Sequence, residues 1–125
     1  MNANERESLI KNVIGAVYEV SNVLGVGFLE KVYERALVTE LRARGLRAQT
    51  QAPFPVIYKG ECVREYFADI LVEDCLLVEL KCCDAFSNEH LAQCLNYLRA
   101  SRKNIALLVN FQRPKAEWKR VVLGV

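Results

Sequence analysis

The run DILVEDCLLVELK, residues 69–81, constrains this chain more than any other stretch. Two apolar segments flank a short polar turn, the pattern of a buried β-hairpin. Yet Asp69, Glu79 and Lys81 stand where a buried sheet favours Val or Ile. Strand side chains alternate between faces, so Phe67, Asp69 and Leu71 should share one face, and Leu77, Glu79 and Lys81 another. Each charge then sits among apolar neighbours, and an unpaired buried charge is expensive even after relaxation. A lysine can neutralise one carboxylate. A divalent cation can neutralise both.

Register sharpens the expectation. A two-residue turn at Glu73–Asp74 would pair Asp69 with Val78 and send Glu79 to the opposite face. A loop of odd length, Glu73–Cys75, would pair Asp69 with Glu79 and Phe67 with Lys81. The turn lacks the Asn-Gly or Asp-Gly of a tight hairpin, which favours the odd loop. A convergent acidic site therefore predicts an odd loop or a bulge.

The remaining sequence supplies a frame for that hairpin. With 125 residues, 52% of them hydrophobic, the chain suits one domain, 1–125. A net charge of +2 neither argues for nucleic acid nor excludes it, since a local basic patch can sit on a neutral protein. The opening MNANERESLI is too polar for a secretory signal, and no run approaches the roughly 18 apolar residues of a membrane span. A cytoplasmic protein with no membrane segment is expected. The five cysteines are odd in number, contain no C-x-x-C and share the chain with one histidine, His90. They read as reduced thiols used as small hydrophobes, not as zinc or iron–sulfur ligands.

Helical spacing of Leu9, Ile10, Val13, Ile14, Val17 and Val20 predicts a first helix, with Asn4 and Glu7 as a capping box. Gly25 and Gly27 interrupt it. A second helix is expected from about Phe28 to Arg44, stopped by Gly45. The segment around Pro53 and Pro55 reads as a strand with a bend or a free edge, and YKGE as a turn. VREYFADILV and CLLVELKC are the central strands. A third helix follows a cap at Ser87 or Asn88. NIALLVNF is a buried strand and EWKRVVL an edge strand. The order α-α-β-β-β-α-β-β is that of an α/β fold, a mixed sheet flanked by helices. In the second helix, Glu30, Tyr33 and Leu37 form one stripe, which predicts a buried Glu30. In the third, His90, Gln93 and Tyr97 form a polar stripe.

These residues carry a resemblance. GFLEKVYE has Gly27, Glu30 and Tyr33 in G-x-x-E-x-x-Y spacing and resembles the small bacterial GxxExxY proteins, placed in the PD-(D/E)-x-K nuclease-like superfamily. ALVTELRARGL, PVIYKGE, ADILVED, VELK, AQCLNYLR and LLVNF look like family segments in family order. The resemblance implies a restriction-endonuclease-like fold, with Asp69 as the motif aspartate and Glu79-Leu80-Lys81 as the E-x-K. Glu30 resembles the extra helix acid of the RecB-like branch, and Gln93 with Tyr97 its Q-x-x-x-Y element. Ala68 stands where the superfamily pattern has Pro.

The implied activity is metal-dependent hydrolysis of phosphodiesters in DNA or RNA. Carboxylates suit Mg²⁺ or Mn²⁺. Asp69, Glu79, Glu30 and the Leu80 carbonyl are the expected ligands. Lys81 would orient or deprotonate water, and Gln93 and Tyr97 would bond the phosphate or the acids. The bland alternatives are an internal Asp69–Lys81 salt bridge, core aromatics at Tyr33 and Tyr97, a polar-gap filler at Gln93 and a helix-surface His90. Three basic clusters could meet phosphates or be plain solvated surface. They are Arg42, Arg44 and Arg47; Arg99, Arg102 and Lys103; and Arg113, Lys115, Lys119 and Arg120. Two rival functions remain: a non-catalytic nuclease-fold module that binds nucleic acid or a protein partner, and a homodimeric, toxin–antitoxin-like component paired through the apolar C-terminal edge RVVLGV.

Overall fold

In the computed structural model, which describes residues 1–124, the elements fall in the expected order. Helices α1 (Ala3–Leu24) and α2 (Glu30–Ala43) come first. Strands β1 (Ala48–Tyr58), β2 (Glu61–Val72) and β3 (Leu76–Lys81) follow, then α3 (Asn88–Ser101), β4 (Ile105–Asn110) and β5 (Glu117–Val122). The sheet runs β1-β2-β3-β4-β5. Only β3 and β4 are parallel, because α3 carries the chain back between them. The likeness to a restriction-endonuclease fold is thus borne out at the level of architecture.

Alternation along the central strands builds two cores. Ile70, Val72, Val78, Leu80, Leu107 and Val109 face α1 and α2. Leu71, Leu77, Ala106 and Leu108 face Cys94 and Leu98 of α3. Both faces of β4 are covered, so all six of its residues are buried. Cys94 behaves as the small hydrophobe expected of it, and all five cysteines are free thiols.

Helix ends correct the sequence reading in part. Asn2, not Asn4, caps α1: its Oδ1 accepts from the Glu5 N–H at 2.8 Å. Helix α2 begins at Glu30, two residues later than expected, and Gly45 follows its C-cap with φ +81°. Ser87 caps α3 as predicted, and His90 completes a capping box, its Nδ1 accepting the Ser87 N–H at 3.1 Å. That is the job of the single histidine. Lys59 and Gly60, both with positive φ, make the two-residue turn between β1 and β2. Strand β1 is a sheet edge, the place where Pro53 and Pro55 are tolerated.

Candidate active site

Strands β2 and β3 pair only at their turn end. Ile70, Leu71 and Val72 oppose Val78, Leu77 and Leu76, and the intervening loop is Glu73–Cys75. The loop is therefore odd, as the convergent-site reading requires. Beyond Ile70 and Val78 the strands part: β2 continues against β1, while β3 continues against β4 as far as Lys81. The two carboxylates stand at this fork. The Asp69 N–H donates to Glu79 Oε1 at 3.1 Å, and the Leu80 N–H donates to Asp69 Oδ2 at 2.8 Å. Each acid thus satisfies a backbone donor that the broken ladder leaves behind.

Strict alternation does not survive at the fork. Ala68 and Leu71 both join the α3-side core, whereas Ile70 and Val72 join the other. Asp69 lines a recess on the α2 side and does not share the core side of Leu71. Opposite it on β1, between the Thr50–Ile70 and Ala52–Ala68 pairs, Gln51 takes a left-handed backbone at φ +50°. The local twist turns Asp69 out of the plane that sequence periodicity assigns to it.

The electrostatics are those of a buried acid beside a half-buried one. Glu79 is 4% exposed. Burial, and next the Asp69 charge, push its carboxyl up to about 9. Among the described residues no basic group lies within ion-pair distance of either acid, so the Asp69–Lys81 salt bridge is not formed. Lys81 turns to α3 instead. Its Nζ donates to Gln93 Oε1 at 3.3 Å, and Gln93 Nε2 donates to the Tyr97 hydroxyl at 3.0 Å. Tyr97 is buried, packs edge-on against Tyr66 at 5.1 Å, and has its hydroxyl pushed up to about 12 by burial and then by Glu79. One relay therefore runs from the fork along one side of α3.

On the other side lies a recess of about 220 Å³, lined by Glu30, Lys31, Glu34, Asp69 and Leu80. Glu30 reaches this recess but is exposed, contrary to the sequence reading, because it is the first residue of its helix. Tyr33 and Leu37, later on the stripe, are fully buried. Tyr33 is a core aromatic with a task. It stacks on Phe111 at 4.6 Å, and its hydroxyl donates to the Gly25 carbonyl and accepts the Phe28 N–H. The loop before α2 is tied down by the tyrosine that follows Glu30.

Two further residues escaped the sequence reading. Glu34 is buried in the recess, held by Lys31 at 3.0 Å and by Gln51 Nε2 at 2.9 Å. Its spacing of i+4 from Glu30 was the available signal. Gln51 offered none, since its role depends on its unusual φ.

Among the described residues no three His, Cys, Asp or Glu side chains gather closely enough to hold a metal ion. The donor chemistry nonetheless fits a hard cation. Asp69 and Glu79 present oxygen ligands, among the described residues no base pairs with either, and the burial that raises Glu79 is the penalty an ion would relieve.

Most of the basic clusters are engaged in structure. Arg42 donates twice to the Ala48 carbonyl, Arg44 pairs with Glu40, Arg113 with Glu117, and Arg120 with Glu7 through two hydrogen bonds. Lys115 lies over the Tyr18 ring.

Comparison with known proteins agrees with this architecture. The crystal structure of SSO0001 matches with a TM-score of 0.56 at 15% identity, covering 77% of this chain and 51% of that one. The chain therefore spans about half of that protein. An alkaline exonuclease (LHK-Exo) from Laribacter hongkongensis matches with a TM-score of 0.52 at 15% identity, covering 86% of this chain and 76% of that one. At such identity the likeness speaks for the fold. No curated protein matches significantly. The family model described as the PD-(D/E)XK nuclease superfamily matches residues 7–121. Matched over nearly its whole length, the chain belongs to the PD-(D/E)XK nuclease superfamily.

Proposed function

We propose that the chain is a cytoplasmic, Mg²⁺- or Mn²⁺-dependent nuclease acting on DNA or RNA, of the GxxExxY type within its superfamily. The observation that carries this reading is the fork: the buried Glu79 carboxylate set against the half-buried Asp69 carboxylate, with no basic group in ion-pair contact with either among the described residues. Asp69, Glu79 and the Leu80 carbonyl would hold the ion, and Glu30, at the rim of the same recess, would complete its shell or hold its water. Bound there, a divalent ion supplies Lewis-acid chemistry and a more acidic water. The protein's own part follows from the relay. Gln93 holds the Lys81 ammonium, and Tyr97 holds Gln93. Lys81 then stabilises anionic phosphate oxygens and orients the attacking water. Tyr97, with its raised pKa, keeps its proton at neutral pH and serves as a fixed dipole.

A second reading draws on one observation. Glu30 stands exposed at the rim and is not gathered with the other acids. In that reading the domain binds nucleic acid or a protein partner without cutting. Pairing of two copies through the β5 edge is compatible with either.

Calorimetric titration of Mn²⁺ into wild type and Asp69→Asn tests the proposal without knowledge of the substrate. Saturable binding lost in the variant supports it and justifies a cleavage screen. A blank in wild type, repeated in the presence of a non-cleavable oligonucleotide, transfers the assignment to the non-cutting module.

A further inference from the structure

At the far end of the hairpin from the acids, the Glu73–Cys75 loop borders a second cavity, of about 400 Å³. Residues remote in sequence line it: Arg6 of α1, Arg47 before β1, and Arg102 and Lys103 after α3, with Glu73 and Asp74. Both acids are already matched. Glu73 pairs with Arg47 at 3.0 Å and Asp74 with Lys103 at 3.3 Å. Two guanidinium groups are left over. Arg6 carries a buried Nε with no hydrogen-bond partner among the described residues, an arrangement proteins rarely leave in place. Arg102 holds its backbone at φ +60°, a conformation that glycine adopts without strain at a helix C-terminus.

We propose that this cavity is a phosphate-binding site, separate from the acidic fork, in which Arg6 and Arg102 grip the anion and Arg47 and Lys103 complete a cationic rim. Guanidinium groups suit phosphate by geometry as well as by charge. Four residues of strand, roughly 13 Å, separate Cys75 from Glu79, so an ion here lies well apart from the carboxylates. The ligand is a phosphate monoester or free phosphate, and the site does not rest on the nuclease reading.

The test uses the full chain without added metal. Inorganic phosphate titrated by calorimetry in low-salt chloride buffer should bind saturably. Arg102→Gly should weaken it roughly tenfold, the value of one charge-assisted bond, without lowering the melting temperature. Arg6→Gln should weaken it similarly, and Asp69→Asn should leave it unchanged. Short oligonucleotides with and without a 5′-phosphate identify the source. Preference for the phosphorylated end assigns a nucleic-acid terminus, whereas tighter binding of inorganic phosphate assigns the free ion. Absence of saturable phosphate binding overturns the proposal. So does binding that neither arginine variant changes, or equal affinity for both oligonucleotides with none for phosphate.

Discussion

The two ends of the β2–β3 hairpin place acids in opposite circumstances. At the loop end, Glu73 is matched by Arg47 through a backbone N–H and a side chain, which lowers its pKa. At the open end, Glu79 has a carboxylate neighbour and almost no water, which raises its pKa. A few residues of strand separate a paired surface acid from a buried acid, Glu79, that a half-buried neighbour, Asp69, repels. An ionised surface acid is easily accommodated, while the buried Glu79 beside Asp69 calls for a proton or an outside cation.

The largest test of this contrast is pH. Glu79 keeps its proton in the folded state when the unfolded chain has lost it, so the unfolded state binds fewer protons. Stability should be full below about pH 4.5 and fall as pH rises toward about 9, by up to about 1.4 kcal/mol per pH unit. Glu73, with its pKa lowered, acts in the opposite sense: its small contribution is present above pH 4.5 and lost in acid. Urea denaturation across pH should show the alkaline decline in wild type and not in Glu79→Gln, whose amide oxygen still accepts the Asp69 N–H. Millimolar Mg²⁺ should flatten the wild-type curve, and a curve that ignores both changes breaks the contrast.

Lys81→Ala should lower cleavage at least about a hundredfold once a substrate is found, with little change in melting temperature, since the side chain makes one long bond to Gln93. Equal turnover in the variant would remove Lys81 from the chemistry. Tyr33→Phe should cost about 1 kcal/mol by chemical denaturation: the stack on Phe111 stays while the hydroxyl tie to Gly25 goes. At the loop end, Asp74→Asn, which keeps a residue suited to the left-handed backbone at φ +52°, should cost well under about 1 kcal/mol, as befits a pair with Lys103 whose acid is exposed. A larger loss would show the loop end to be as exacting as the fork.

Much of the fold was legible because periodicity and turn chemistry agree. The missing Asn-Gly pointed to the odd loop, and Ser87 stood where a cap was needed. The candidate site was legible only along single elements. Asp69 and Glu79 could be placed opposite one another by counting residues. Glu30 was misread because a stripe says nothing about where a helix begins. Glu34, Gln51 and the Arg6–Arg102 cavity depend on twist, an atypical φ and contacts between distant segments. No local pattern records these.

The crossed bonds at the fork give the two acids a second employment. Asp69 and Glu79 close the gap where the sheet divides, so removing either injures the scaffold as well as any chemistry. A relative that does not cut would still be selected to keep both, for the sake of folding. In a relative, the pair therefore testifies to activity only where the lysine stands beside it, as Lys81 does here. Lys81 has no such backbone duty, and in a lineage losing its function it would be the first of the three to drift.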